Sequence, residues 1–446
     1  MFKSTYYSAH QLLLFINVLN DEVGRCYLEL LKLLEEGGAD AEEVGQTYGK
    51  LFYKLAGVAE FYNDSKVGDA WQNYLLDRVL DDQNPFSLKA ARHGFPAMSP
   101  ALITAARHDL TILQKLFNLN AQRIAERTRD ALQEPQLPSW DTFALPDIFP
   151  SNPRSELKKE MAASSSWADL VERLAGFYLT EGIDDFGRYR AFRWLRQGQE
   201  GNGKFEPVRY IDEQRLENLI GYDEVRLPLI QNTEQFLAGL PANNALLYGA
   251  RGTGKSSTVK GLLARYASQN LRLVEVHKNW LSDYPVIAEI LRGRPEKFIL
   301  FVDDLSFEPE EIYYKDLKAL LEGSLEARPA NVLIYATSNR RHLIKEQFSD
   351  NARPGDEEIS AWDTVEEKLS LSDRFGLVLT FVTPNQRQYL EIVKGLAKQA
   401  GIDGLLTEEE LKRRALQWEM SHSGRSGRLA RQFIDHLNGE LRLAKG

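Results

Sequence analysis

Residues 245–257 read Ala-Leu-Leu-Tyr-Gly-Ala-Arg-Gly-Thr-Gly-Lys-Ser-Ser, and Gly249 to Ser256 fit the phosphate-loop pattern G-x-x-x-x-G-K-[ST] at every fixed position. Glycines at this spacing let backbone N–H groups turn inward around phosphate oxygens, and the helix that follows presents its positive N-terminal end to the same anion. Gly249, Ala250, Arg251, Gly252, Thr253, Gly254, Lys255, Ser256 and Ser257 are therefore the expected phosphate-binding residues, with Lys255 on the β- and γ-phosphates and Ser256 on Mg²⁺. The flanks agree. Ala245–Tyr248 reads as a short buried strand, and Val259, Leu262, Leu263 and Tyr266 recur at helical spacing after the loop.

A phosphate loop needs carboxylates from another strand to hold the metal and polarise the attacking water. The apolar run Phe298–Val302 supplies them by ending in Asp303-Asp304. Asp303 is expected on the metal side. For Asp304 two roles stand open, water activation and capping of the strand end. A third apolar run, Asn331–Thr337, ends in Ser338-Asn339, and an amide at that tip is suited to orienting the water. A further strand is expected over Leu377–Phe381, just after Arg374, and helices are expected from Thr383 to the end of the chain.

The chain has 446 residues, 43% hydrophobic and 27% charged, with a formal net charge of −9. That composition describes a globular protein with room for two or three domains. The negative balance disfavours nucleic acid or an anionic membrane as partner of the whole chain, without excluding a local basic lining. Cys26 is the only cysteine, so neither an intrachain disulfide nor a cysteine-based metal site is possible. With no transmembrane-length apolar run and polar residues soon after the first apolar stretch, the expected location is the cytoplasm, without membrane insertion.

Before the loop the sequence is helical. A helix is expected over Gln11–Glu36 and stopped by Gly37-Gly38, a second after a capping box at Asp40 and Glu43, a third over Asp69–Leu80 and a fourth from Ser99-Pro100. These make a bundle over 1–133 whose histidines, His10, His93 and His108, lack metal-ligand spacing. Five prolines between Pro135 and Pro153 suggest an extended linker over 134–155. A connecting segment over 156–215 follows, with a capped helix at Ser166–Leu179, and then come a core over 216–383 and a helical lid over 384–446. Within the connecting segment, Gly187–Arg196 interleaves Arg188, Arg190, Arg193 and Arg196 with Tyr189, Phe192 and Trp194. It suits either base stacking or a half-buried element with outward arginines, and the acidic balance favours packing. The polar, acidic stretch Ser349–Asp363 is expected to be mobile.

Phosphate loop, acidic strand, strand ending in Asn, the arginine of Ser-Asp-Arg-Phe and a helical lid together resemble the AAA+ ATPase core. The runs FVDDLSFE, LIYATSNRRHL, EEKLSLSDRFGL and GRSGRLARQFID more closely resemble an uncharacterised family of bacterial AAA+ ATPases known as a domain of unknown function, over roughly residues 180 to 440. The resemblance implies an α/β P-loop fold with a parallel sheet, a C-terminal helical lid and an N-terminal all-helical domain. It implies ATP and Mg²⁺ as ligands, with Ile220, Gly221 and Tyr222 at the adenine. Asn339 would be the first sensor, Arg374 an arginine finger reaching a neighbouring subunit's ATP, and Arg428 a second sensor with Arg425 as its competitor. ATP rests on this resemblance, although no guanine-specifying N-K-x-D motif is present.

Two departures from the family pattern are visible. Asp304 stands where most such motors carry Glu, one methylene longer, so hydrolysis is expected to be slow or assisted by Glu308. No aromatic-apolar-glycine pore loop precedes the acidic strand, and Trp280-Leu281 is a weak substitute. The leading expectation is an ATP-hydrolysing homo-oligomer, ring or spiral, that remodels a protein partner recruited by the N-terminal helices. The alternative is a nucleotide-dependent switch or scaffold with slow turnover. A sequence-specific DNA-binding regulator lacks a basic recognition helix.

Overall fold

Asp69 shows how the N-terminal helices are set: it caps Ala70–Asp81 through the Gln72 N–H, completes a capping box and also accepts the Ala121 N–H at 2.6 Å. Asn84, Ser99, Asn120 and Asn152 likewise accept first-turn N–H groups and cap Pro85–His93, Pro100–Phe117, Ala121–Leu132 and Pro153–Ala163, Asn84 and Asn152 with a capping box. The computed structural model describes residues 2–35, 40–60, 66–143, 151–196, 203–212, 214–306, 328–340, 372–422 and 424–443. Glu308 and Ser349–Asp363, singled out above, lie outside these. The chain divides into two compact units, Met1–Arg188 and Tyr189–Gly446.

In the first unit the expected helix over Gln11–Glu36 is interrupted, and the regular helix runs Glu22–Glu35. The reason is distant in sequence. The fully buried carboxylate of Asp109 accepts the backbone N–H groups of Leu13, Leu14 and Phe15 at 2.7–3.0 Å, which removes them as helix donors. Gly24 then lets the turn close, since a Cβ there would stand 2.5 Å from the Leu19 carbonyl oxygen. At the second helix, Ala41–Glu60, the hydrogen bond that the Asp40 carboxylate accepts among the described residues comes from the Glu42 N–H at 3.1 Å, not from Glu43.

The proline-rich stretch differs from the expectation more widely. Trp140 is fully buried within the same core as Trp71, Leu157, Met161 and Trp167, so one apolar cluster runs from Ala9 to Ile183 across the expected linker. Ion pairs reinforce it. Arg154 meets Asp77 at 2.8 Å and Asp81 at 2.6 Å, and the fully buried Lys158 meets Asp77 at 3.1 Å. The unit boundary therefore falls after Arg188, not at 133–155. Ser166 gives no side-chain cap, and its helix begins at Val171.

The second unit is built on a seven-stranded sheet: β1 (Ala191–Arg196), β2 (Gly203–Pro207), β3 (Ala245–Gly249), β4 (Leu271–Glu275), β5 (Lys297–Val302), β6 (Val332–Ser338) and β7 (Leu377–Phe381), in the order β2-β1-β4-β5-β6-β3-β7. All neighbours are parallel except the β1–β2 hairpin. β6 is buried along its whole length and β5 along all but its first residue, which is why both read as continuous apolar runs. Helices Asp223–Leu237, Lys255–Tyr266 and Tyr284–Leu291 accompany the sheet, and Gln386–Gln399, Glu408–Met420 and Gly427–Leu443 form a lid with its own core of Tyr389, Ile392, Leu396, Phe433 and Leu437. This is the α/β P-loop core with helical lid that the resemblance implies.

The arginine-rich stretch ends in strand β1, which lies between β2 and β4. Phe192 and Trp194 are buried, while Arg193 pairs with Glu275 at 3.0 Å and Arg196 with Asp283 at 3.3 Å. Packing, not base stacking, accounts for the interleaving. Trp280 sits at a kink between short helical turns and Leu281 is buried. Among the described residues no helix is long and apolar enough to cross a membrane.

Candidate nucleotide-binding site

The sheet order puts β6 between β3 and β5, so the tip of β6 is flanked by the glycine loop on one side and the acid pair on the other. Register sets the heights: Tyr248 is level with Ser338, and Val302 with Ala336. Asn339 therefore emerges beside the loop and Asp303 beside Thr337. Ligands of open parallel sheets bind at this carboxyl end of the strands.

The loop depends on its glycines. Gly249, Gly252 and Gly254 have φ of 138°, 74° and 94°, a region costly for residues with a Cβ. At Gly249 a Cβ would also lie 2.0 Å from the Phe381 carbonyl oxygen of β7. Thr253 closes the loop by donating to the Ala250 carbonyl at 2.8 Å. Helix Lys255–Tyr266 starts directly after Gly254 and aims its first N–H groups into the cleft.

A chain of hydrogen bonds joins loop, acid pair and β6. Ser256 and Thr337 both donate to Asp303 Oδ1, at 2.6 and 2.5 Å. Asn339 donates through Nδ2 to Asp304 Oδ1 at 2.5 Å and accepts from Lys255 Nζ at 3.2 Å, so its amide orientation is set from both sides. Lys255 Nζ also donates to the carbonyls of Gly249 and Ala250, each at 2.8 Å. Burial lowers the Lys255 ammonium pKa below its ordinary range, while the charges of Asp304 and Asp303 oppose that shift.

The cleft is about 920 Å³ in volume. At one end Ile220 packs so closely that a Cβ on Gly395 would come within 2.5 Å of it, and Ile392 and Leu396 face the same space. Tyr222 is held in the left-handed region, its hydroxyl donating to the Val382 carbonyl at 2.6 Å and its ring 5.4 Å from that of Phe381. At the other end the lid helix docks on the loop, the Arg428 N–H donating to the Gly252 carbonyl at 3.1 Å. The donor set fits its expected ligands: a hydroxyl and a carboxylate are the hard oxygens Mg²⁺ takes, and Arg251, Lys255 and Arg428 converge where a polyphosphate needs cations.

Of the residues expected from the sequence, Ile220, Tyr222, Arg251, Gly252, Thr253, Gly254, Lys255, Ser256, Ser257, Asp303, Asp304, Asn339 and Arg428 line this cleft. Gly221, Gly249 and Ala250 shape its backbone without lining it. Arg425 is turned away, paired with Glu419 at 2.8 Å. Arg374 also lies elsewhere. It precedes β7, whose Leu377 is level with Ala245 at the start of β3, so the whole strand, roughly 15 Å at about 3.3 Å per residue, separates it from the loop. Sequence reasoning missed Thr337, Arg431 and Gln432. Arg431 was detectable as the residue one helical turn beyond Arg428, and Thr337 as the residue two before Asn339 on the same strand face.

A family described as "Protein of unknown function (DUF815)" matches residues 187–441, more than half of the chain. The chain belongs to this family. The DUF815 match spans the whole sheet and nearly all of the lid, and leaves the first unit outside it except for its last two residues. No curated protein matches in sequence. Among solved structures, the RuvB Holliday junction branch migration motor of Thermotoga maritima is similar at 16% identity, over 52% of this chain and 67% of that one, with a TM-score of 0.36. A mutant of the same protein is similar at 15% identity with the same coverage and TM-score.

Proposed function

We propose that this DUF815 protein binds and hydrolyses ATP, with Mg²⁺, in the cleft at the carboxyl ends of its strands. The observation that carries the reading is the hydrogen-bonded chain Ser256–Asp303 and Lys255–Asn339–Asp304, which brings a cation, a metal-side oxygen pair and a second carboxylate to one loop. The glycine loop cradles the phosphates through its N–H groups. Lys255 exchanges its two loop carbonyls for phosphate oxygens, and its burial makes that charge pairing strong. Ser256 and Asp303 hold Mg²⁺, which supplies charge neutralisation at the phosphates. Asp304 accepts a proton from the attacking water, with Asn339 keeping its carboxylate in place. The lid contributes Arg428, and Ile220, Tyr222, Ile392 and Leu396 enclose the base.

Arg374 supports a site shared between copies of the chain in a ring or spiral. It lies at the far end of the sheet from its own loop, so a role at a phosphate requires a neighbour's cleft. The N-terminal helical unit is the segment we assign to recruiting a protein partner for remodelling. The test is ATP turnover per subunit across a wide protein concentration range, beside Lys255→Ala and Arg374→Ala. Activity that rises with concentration, loses that rise in Arg374→Ala and vanishes in Lys255→Ala supports the reading. Turnover unaffected by Lys255→Ala overturns it.

A second reading, a nucleotide-dependent switch with slow hydrolysis, is favoured by Asp304. Its carboxylate is short, and its backbone sits in the left-handed region at φ 51°, tied to Asn339. Tight nucleotide binding with turnover that no protein concentration accelerates would favour the switch.

A further inference from the structure

Thr337, at the penultimate position of β6 and 1% exposed, has a side chain that hydrogen-bonds to both acidic residues, as no other does among the described residues. Its hydroxyl donates to Asp303 Oδ1 at 2.5 Å and accepts the backbone N–H of Asp304 at 3.0 Å. Both directions are forced, because a carboxylate only accepts and an amide N–H only donates. Its carbonyl oxygen accepts the Leu305 N–H at 2.7 Å, so three successive residues after β5 are tied to this one position.

Two consequences follow from these bonds. Asp303 Oδ1 carries two hydroxyl donors, Ser256 and Thr337, and among the described residues Oδ2 accepts no hydrogen bond. The carboxylate is thereby held in one rotamer with an oxygen to spare for a cation. Asp304 is a non-glycine residue at φ 51°, a conformation that costs on the order of 1–2 kcal/mol and persists where surrounding bonds impose it. The bond from its N–H to the Thr337 hydroxyl is such a restraint, and it directs the Asp304 side chain toward Asn339.

We propose that Thr337 is a positioning residue: through one hydroxyl it sets the metal-side carboxylate of Asp303 and the water-side carboxylate of Asp304 together. The inference rests on the nucleotide reading above and assigns a role to a residue that reading leaves unused. Valine has nearly the same shape but cannot make either bond, so Thr337→Val separates the hydroxyl from its volume. Serine keeps the hydroxyl and loses only a methyl group.

The experiment uses the full chain as wild type, Thr337→Val and Thr337→Ser. It measures the affinity for a fluorescent ATP analogue with and without Mg²⁺, the kcat and KM for ATP, and the melting temperature. Thr337→Val is expected to bind the analogue without Mg²⁺ within about twofold of wild type, because the loop is intact. It is expected to lose most of the Mg²⁺-dependent gain in affinity and about tenfold or more in kcat, the size of effect for a lost buried, charge-assisted bond. Thr337→Ser is expected to restore both. A folded Thr337→Val protein that keeps the full Mg²⁺ gain and kcat within twofold overturns the proposal; Thr337→Ala replaces it if the valine protein fails to fold. Wild type that binds Mg²⁺–nucleotide without turning it over sinks the hydrolysis reading alone, and the Mg²⁺ gain still decides Thr337. Wild type that binds no nucleotide overturns both.

Discussion

The N-terminal core and the cleft of the second unit treat the same charged residue types in opposite ways. In the first, Asp77, Arg154 and Lys158 are withdrawn from water and neutralise one another, and Asp109 spends its carboxylate on three backbone N–H groups. In the second, Arg251, Asp304 and Arg428 line an open cleft, and the contacts made by Lys255 are to carbonyls that a phosphate can replace. The contrast distinguishes structure from chemistry. A buried charge whose partners are fixed parts of the core is committed to the fold, whereas charges aimed at a shared space and held by groups a ligand can replace are available to that ligand.

The largest effect is expected where charge is most committed. Asp77→Ala leaves Lys158 and Arg154 buried without their shared carboxylate and is expected to cost about 3–5 kcal/mol, read from urea unfolding of the full chain. A loss under about 1 kcal/mol would show that these charges are not committed, and the contrast would fall. Next comes Lys255→Ala, expected to lower ATP turnover by about a hundredfold or more while shifting unfolding by about 1 kcal/mol or less. Unfolding losses as large as those of Asp77→Ala would place Lys255 on the structural side.

Arg428→Ala is expected to weaken nucleotide binding about tenfold, against about twofold or less for Arg425→Ala, because Arg428 lines the cleft and Arg425 is paired with Glu419. Titration with a fluorescent nucleotide reads both, and equal losses would erase the distinction between the two arginines. The smallest effect is expected at Arg193→Ala. The Arg193–Glu275 pair is 57% and 47% exposed, so stability should stay within about 0.5 kcal/mol of wild type by thermal or urea unfolding.

The parts of the site written as local runs were legible in the sequence. Gly249–Ser256, Asp303-Asp304 and Asn339 each end an apolar strand, and burial on both faces makes such strands conspicuous. Parts that depend on residues distant in sequence were not. The helix expected over Gln11–Glu36 is broken by a carboxylate at position 109, and Arg154, within the expected linker, is held by partners at 77 and 81. Thr337 closes the apolar run Asn331–Thr337 with nothing in the sequence to mark it, because β-branched residues are common in strands and its two acidic partners follow β5.

The sequence by itself determined the phosphate loop, the order of strands and helices around it and the family, because glycine placement and apolar periodicity are local consequences of backbone sterics and burial. Tertiary structure alone decided which arginine faces the cleft, that Arg374 stands at the opposite end of the sheet, and that the Thr337 hydroxyl bonds both the Asp303 carboxylate and the Asp304 backbone N–H. Those facts depend on strand order and on side-chain direction, which bring together residues as far apart in the chain as Asp303 and Thr337 or Gly252 and Arg428 through hydrogen bonds that no linear spacing encodes.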